Sequence, residues 1–332
     1  MQESIDLCAR EQCGVFTAAQ ALEVGYSVDE IQSLLRRGRW RRIRRGVYTE
    51  ASMHDALVSR PRELHLLHCA ALRLALRRAF VVSHWSAVRF HRLDVLSAMP
   101  AEVFGTDAYQ ARQGPGYRIS GSVLPLHHVQ EVDGWTVTGV ARTVVDAARS
   151  SSFKAGVVLA DSALSQGLTV RQELASVAVA CSHYEGIGQA ARACSFARPG
   201  AESVLESTSR VDLAAHGLPE PWLQVPFYDR RGFIGRADMF WRELGVVGEV
   251  DGRVKYTQPY PDCAPEEILW AEKRRMERMQ AAGLEVVRWT AAEMLASPGA
   301  VVRRIHAAAG RAVLLSPTYR VGPPAGVAAL AG

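Results

Sequence analysis

The chain has 332 residues, of which 48% are hydrophobic and 22% charged, and its formal net charge is +5. That length admits two or three domains with an ample core, and the composition excludes a disordered or fibrous chain. No run approaches the ~18 uninterrupted apolar residues of a membrane span, and the opening residues (Met1, Gln2, Glu3, Ser4, Ile5, Asp6) lack the basic-then-apolar layout of a signal peptide. The expectation is a soluble, cytoplasmic protein with no membrane partner.

The charge is unevenly placed. Lysine occurs only at Lys154, Lys255 and Lys273, so nearly all positive charge is arginine. Arg36, Arg37, Arg39, Arg41, Arg42, Arg44 and Arg45 fall within ten residues, and without these seven the net charge is 5 − 7 = −2. One short segment sets the sign, which points to a local anionic partner rather than a generally basic surface. The six cysteines (Cys8, Cys13, Cys69, Cys181, Cys194, Cys263) are scattered without a CxxC pair and read as reduced thiols. Cys8 and Cys13 with His65 and His68 have the wrong spacing for a zinc ribbon or finger. Phosphate loops of the GxxxxGK[ST] or GxGxxG kind are missing, as is a GxSxG nucleophile turn.

Taken in chain order, Thr17 is placed to cap a helix carrying Ala18, Ala21 and Leu22. Gly25 makes a turn. Ser27, with Glu30 three residues on, then has the capping-box pattern for a second helix bearing Val28, Ile31, Leu34 and Leu35. Gly38 ends that helix, and residues 40–48 alternate apolar and basic about Gly46 as a short β-wing does. Helix, turn, helix and basic wing outline a winged helix-turn-helix over residues 1–55. Arginines at the end of the second helix and along the wing are suited to neutralise DNA phosphates; the competing reading is a solvated basic face, or a basic surface docking an acidic partner.

Residues 56–198 form a mixed α/β region: helices over 64–78, 83–91, 140–148 and 154–165, and strands around 79–83, 101–105, 117–122 and 135–138. His84, His91, His127 and His128 are spread through it and read as structural histidines. Pro199–Gly200 is a break. Beyond it the order is αβββαβα: a helix over 201–215, strands over 222–228, 233–241 and 246–250, a charged helix over 265–282, a strand over 285–289 and a last helix capped by Thr290 with Glu293 three residues on. Residues 313–332, rich in Pro, Gly and Ala, read as a flexible tail. The fold class is α/β (α+β).

Within the domain over 199–312, acids sit oddly for a structural sheet. Asp238 lies inside an apolar strand, Glu249 ends the next, and Asp251 two residues on shares its face. Glu202 and Glu206 stand one turn apart on the preceding helix. Converging carboxylates repel and lose hydration unless a cation holds them, and oxygen-only ligands favour Mg²⁺ or Mn²⁺. A metal on Asp238 and Glu249 with Lys255 nearby suits phosphodiester hydrolysis. The competing reading pairs the acids with Arg236, Arg253 or Arg275.

The pieces Glu206–Arg210, Arg236-Ala-Asp238, Gly248-Glu-Val-Asp-Gly252, Lys255-Tyr256, Glu272-Lys-Arg-Arg275 and Val287-Arg288-Trp289 together resemble the very-short-patch-repair-like branch of the PD-(D/E)XK nuclease superfamily over about residues 200–308. The resemblance implies a restriction-endonuclease-like, Mg²⁺-dependent DNA endonuclease acting in repair or defence, with Asp238 and Glu249 as metal ligands and Glu206 in support. Where that superfamily often has lysine two residues after the glutamate, this chain has Asp251. Lys255 substitutes, Asp251 acts as a further acidic group, or activity is weakened. Residues 1–165 resemble a second family: Phe16-Thr-Ala-Ala19, the basic stretch ending Arg45-Gly-Val-Tyr48, Ser83 to Ala87, and Val132-Asp-Gly134 through Arg142-Thr143 to Asp146-Ala-Ala148 are similar to AbiEi-type antitoxins of type IV toxin–antitoxin systems. This implies operator DNA as partner, a cognate toxin protein, and, as the alternative to a nuclease, a non-catalytic transcriptional regulator.

Overall fold

The computed structural model describes residues 2–251 and 265–325. The chain divides into two compact units, Met1–Leu93 with Ala98–Ala147, and Asp94–Ser97 with Ala148–Gly332. The structure is mixed α/β, with three sheets among the described residues.

The first unit begins with α1 (Gln2–Glu11), β1 (Phe16–Thr17), α2 (Ala18–Glu23), α3 (Val28–Arg36), β2 (Trp40–Arg44) and β3 (Val47–Glu50). The strands form an antiparallel sheet in the order β1-β3-β2. This is the expected winged helix-turn-helix, with α1 and β1 added ahead of it. Its core is aromatic. Phe16 meets Trp40 edge-on at 4.6 Å, Tyr26 meets Trp40 at 5.0 Å, and Tyr48, Ile5, Ala21 and Ile31 close around them. The second part follows through α4 (Ala51–Leu57), α5 (Pro61–Leu76), β4 (Val81–Val82), α6 (His84–Phe90), β5 (Val103–Asp107), β6 (Arg112–Gly114), β7 (Tyr117–Gly121), β8 (Val129–Val132), β9 (Trp135–Thr138) and α7 (Val140–Arg149). Its six strands run β6-β7-β5-β4-β9-β8, with β5–β7 and β4–β9 parallel. Val15 and Val47 of the winged helix share one apolar cluster with Leu67 and Leu72 of α5, Val103, Ile119 and Val137. That shared core makes the winged helix and the six-stranded sheet one unit, and the division between units falls within α7.

The second unit stacks α8 (Phe153–Ser165), α9 (Arg171–Ala180) and α10 (Ile187–Phe196), followed by α11 (Val204–Ala215). Helix α8 is buried from Ala155 to Leu164. Gly156 makes this possible, since a Cβ there would lie 2.9 Å from the Ala193 Cβ of α10. Next come β10 (Trp222–Asp229), β11 (Gly232–Trp241), β12 (Val246–Asp251), α12 (Pro265–Ala281), β13 (Glu285–Thr290), α13 (Ala291–Ala296), α14 (Pro298–Ala312) and β14 (Arg320–Val321). The αβββαβ order expected from the sequence is present. The sheet runs β13-β12-β11-β10-β14; only β12 and β13 are parallel, and α12 lies in the connection that a parallel pair requires. Met239, Trp241, Val246, Val287 and Trp289 pack with Val301 and Ile305 of α14, while Phe227, Phe240 and Val247 pack with Met279 and Ala282 around α12.

One sequence expectation is corrected. Part of the tail read from 313 onward is ordered, because Tyr319 packs on Phe227 and Phe240 (5.5 and 6.1 Å) and Arg320–Val321 pairs with the open edge of β10. Pro and Gly mark turns there, and one aromatic and one β-branched residue between them suffice to add a strand. Residues 326–332 lie outside those described.

A buried ion pair ties the helices together. Arg210 of α11, 1% exposed, donates to both oxygens of Asp161 of α8 at 3.1 Å and to Glu220 at 3.1 Å. Burial nonetheless pushes the Asp161 carboxyl above its ordinary value. Removing one partner strands a charge, at a cost of about 3–5 kcal/mol, whereas replacing both by apolar groups is close to neutral. Arg210→Met is therefore expected to lose about 3–5 kcal/mol in urea denaturation, and Asp161→Leu combined with Arg210→Met to recover most of it.

Candidate functional site

Two groups of charged side chains stand out, one on the winged helix and one in the second unit. The winged helix is shaped by its caps. Thr17 and Gln20 close a capping box on α2, and Ser27 and Glu30 close another on α3. The Ser27 backbone N–H holds the Glu30 carboxyl below its ordinary value. Gly38 (φ +67°) ends α3, and Gly46 (φ +74°) turns the wing after a bulge between Arg42 and Arg44. The seven arginines divide. Arg36, Arg37, Arg39, Arg42 and Arg45 are exposed and have no ion pair among the described residues. Arg41 is exposed but pairs with Asp55 at 2.8 Å. Arg44 differs from the expectation of a phosphate contact: its guanidinium donates to the carbonyls of Pro115 and Gly116 at 3.0 Å each and lies over the Tyr117 ring.

Among the acids of the second unit, Glu206, Asp238 and Glu249 are engaged by hydrogen-bond donors of the fold, Glu206 and Asp238 sharing one of them. Glu206, on the first turn of α11, accepts from the backbone N–H of Glu202 and from Ser203 Oγ. Gln224 of β10, a residue the sequence analysis did not single out, sits at φ +49° and places its Nε2 3.0 Å from Glu206 Oε2 and 3.3 Å from Asp238 Oδ1. A polar residue between Leu223 and Val225 in an apolar strand was the available signal. Asp238 Oδ2 accepts from the Val250 N–H at 2.9 Å. Burial first, and Asp238 second, push the Glu206 carboxyl above its ordinary value. Arg236 pairs with Glu202 at 2.6 Å, not with Asp238.

Glu249, 8% exposed, is gripped by two guanidiniums. Arg275 of α12 reaches both its oxygens (2.6 and 2.8 Å), and Arg288 of β13 adds a contact at 2.7 Å. Glu272 completes the group by accepting from Arg275 and from Arg288. The hydrogen bond from Arg275 leads the causes that hold the Glu272 carboxyl down at about 2. Asp251 is half-buried at the end of β12; Lys255 and Arg253 lie outside the described residues.

A divalent cation needs carboxylate oxygens turned toward one point and free of competing donors. Here Glu249 faces guanidiniums, Asp238 faces an amide and a backbone N–H, and Glu206 is held by a hydroxyl, an amide and a backbone N–H. Among the described residues no group of three His, Cys, Asp or Glu is disposed to hold a metal ion. The carboxylate oxygens that the nuclease resemblance assigns to Mg²⁺ or Mn²⁺ are engaged by these donors in this structure. The histidines of the first unit are structural where their contacts are seen: His91 Nε2 meets the Thr138 carbonyl at 2.7 Å, and His65, bonded to Ser86 at 2.8 Å, is pushed by burial down to about 3.

Comparison with known proteins bears on the winged helix. Residues 3–51 match the family described as transcriptional regulator, AbiEi antitoxin. Two uncharacterized proteins, from two strains of Mycobacterium tuberculosis, are each 29% identical over 197 residues, covering 58% of this chain and 70% of theirs. No helix among the described residues is long and apolar enough to cross a membrane.

Two outcomes follow from the acidic group. A carboxylate held below its unfolded value contributes stability above that value and loses it as pH falls toward the folded one. Unfolding measurements between pH 5 and 2 are thus expected to show stability declining from about 4.5 toward about 2, with a shallower decline in Glu272→Gln. In calorimetric titration with Mn²⁺, the native chain is expected to give no heat that Asp238→Ala or Glu249→Ala removes.

Proposed function

We propose that this chain is a DNA-binding transcriptional regulator of the antitoxin class. In this reading the winged helix holds operator DNA through Arg36, Arg37, Arg39, Arg42 and Arg45, and the partners are that DNA and a cognate toxin protein. The observation that carries it is the state of those five guanidiniums: exposed at the end of α3 and along the wing, and without ion pairs among the described residues. Positive groups so placed gain most by exchanging condensed counterions for direct phosphate contact. The family match over residues 3–51 supports the same assignment. Phosphate contacts set register without reading bases, so target sequence rests on other groups of α3.

The second unit then serves as a protein body whose acidic group is neutralised from within. Hydrolysis by Asp238, Glu249, Asp251 and Lys255 with Mg²⁺ is the competing reading. The guanidinium grip on Glu249 speaks against it, since that carboxylate must release Arg275 and Arg288 before it can ligate a cation.

The test is fluorescence anisotropy with duplex DNA from upstream of the chain's own coding region. Affinity is expected to fall with salt at a log–log slope of about −0.9 per phosphate contacted. Changing the five arginines to glutamine is expected to weaken binding at least ~100-fold and flatten that slope. Unchanged binding in this variant overturns the assignment. Plasmid nicking with Mg²⁺ separates the competing reading: no nicking that Asp238→Ala and Glu249→Ala abolish is expected.

A further inference from the structure

Helix α3 divides its surface by chemistry. Ile31 is buried, and with Leu34 and Leu35 it packs on the aromatic cluster around Trp40. At about 100° per residue, Val28, Gln32, Arg36 and Asp29 share an arc of about 100° on the other side of the helix. All four are exposed.

Charge is not spread evenly along that arc. Arg36 stands in the last turn and is followed by Arg37 and Arg39, whereas the first turn carries Asp29 and Glu30. Glu30 is engaged by Ser27 in the capping box, but Asp29 has no ion pair among the described residues. Val28, the first residue of the helix, is 61% exposed. A carboxylate repels a phosphate and a valine side chain offers it no donor. The first half of α3 is therefore poorly suited to the phosphate backbone that the arginines of the second half would meet.

Gln32 lies between the two halves, one turn after Val28 and one turn before Arg36, and residues four apart share a helix face. Its amide makes no hydrogen bond among the described residues. A free amide has a donor and an acceptor side by side, and in the major groove adenine presents the matching pair, an acceptor at N7 and a donor at N6. In helix-turn-helix proteins the early residues of the second helix are the ones that reach base edges.

We propose that Gln32 is a specificity-determining residue that reads one adenine in the major groove. Its Nε2 donates to N7 and its Oε1 accepts from N6, one helical turn from the phosphate that Arg36 neutralises. This rests on the DNA-binding reading above and deepens it: the five arginines hold the duplex, and Gln32 selects among sequences. Because the amide is uncharged, its contact releases no counterion and leaves the salt dependence of binding to the arginines.

The experiment uses the full chain and a pool of duplexes with a randomised core, bound sequences being separated and sequenced. The native chain is expected to enrich a motif containing an adenine whose preference, about 10-fold over other bases, is lost in Gln32→Ala. The remaining positions of the motif and the log–log salt slope on a mixed-sequence duplex are expected to stay as they are. Gln32→Arg is expected to replace that adenine by guanine, because a guanidinium pairs with O6 and N7. Arg42→Gln is expected to weaken all sequences alike and to flatten the slope by about 0.9, the mark of a phosphate contact. An unchanged motif in Gln32→Ala, or equal weakening on every sequence with a flatter slope, overturns the assignment of Gln32 and leaves the DNA-binding reading standing. Binding by the native chain without any enriched motif does the same. A native chain that leaves every duplex unbound overturns both.

Discussion

Two guanidiniums close on one nearly buried carboxylate, and that contact governs what the second unit can be. Glu249 lies within the apolar strand β12, between β11 and β13, where an unpaired charge is expensive. Arg275 from α12 and Arg288 from the adjacent strand β13 meet it, with Glu272 balancing the second positive charge. Because these four groups come from β12, α12 and β13, the same contact that neutralises Glu249 also staples the crossover helix to the parallel strand pair. A site for a metal ion and a staple for the fold are competing uses of the same oxygens, and in this structure the staple has them.

The winged helix shows the opposite economy of charge. Its arginines are mostly not used to hold the fold together: an aromatic core around Trp40 and two capping boxes do that. Five guanidiniums are left in solvent without ion pairs among the described residues, a concentration of like charge that an anion would relieve. Arg44 is the exception that ties the wing to its neighbour, spending its donors on backbone carbonyls that no acidic residue competes for. The first unit thus divides its arginines between a structural contact and an exposed, unpaired group within one ten-residue segment.

Local signals in the chain were strong. Ser27 with Glu30 and Thr290 with Glu293 mark helix starts by hydrogen bonds confined to four residues, and both boxes form; Thr17 caps its helix as expected, with Gln20 closing a box that the sequence reading did not name. The αβββαβ order and its strand limits were legible for the same reason, since alternation and helical periodicity are short-range properties. The short strands β6 and β8 and the helices α9 and α10 were not read. They are brief or only weakly patterned, and their place is set by contacts such as the Gly156 approach to Ala193.

What the amino-acid sequence determined alone was the inventory: which segments are helical or extended, where positive charge concentrates, and which acids stand in apolar strands. Only the tertiary structure decided their use. It sent Arg44 inward while leaving Arg42 and Arg45 out, set Gln224 between Glu206 and Asp238, and gave Glu249 to Arg275, 26 residues away along the chain. The physical reason is that a charge's partner depends on distance in space and on how much water remains between the groups. Spacing along the chain sets neither once strands and helices have packed.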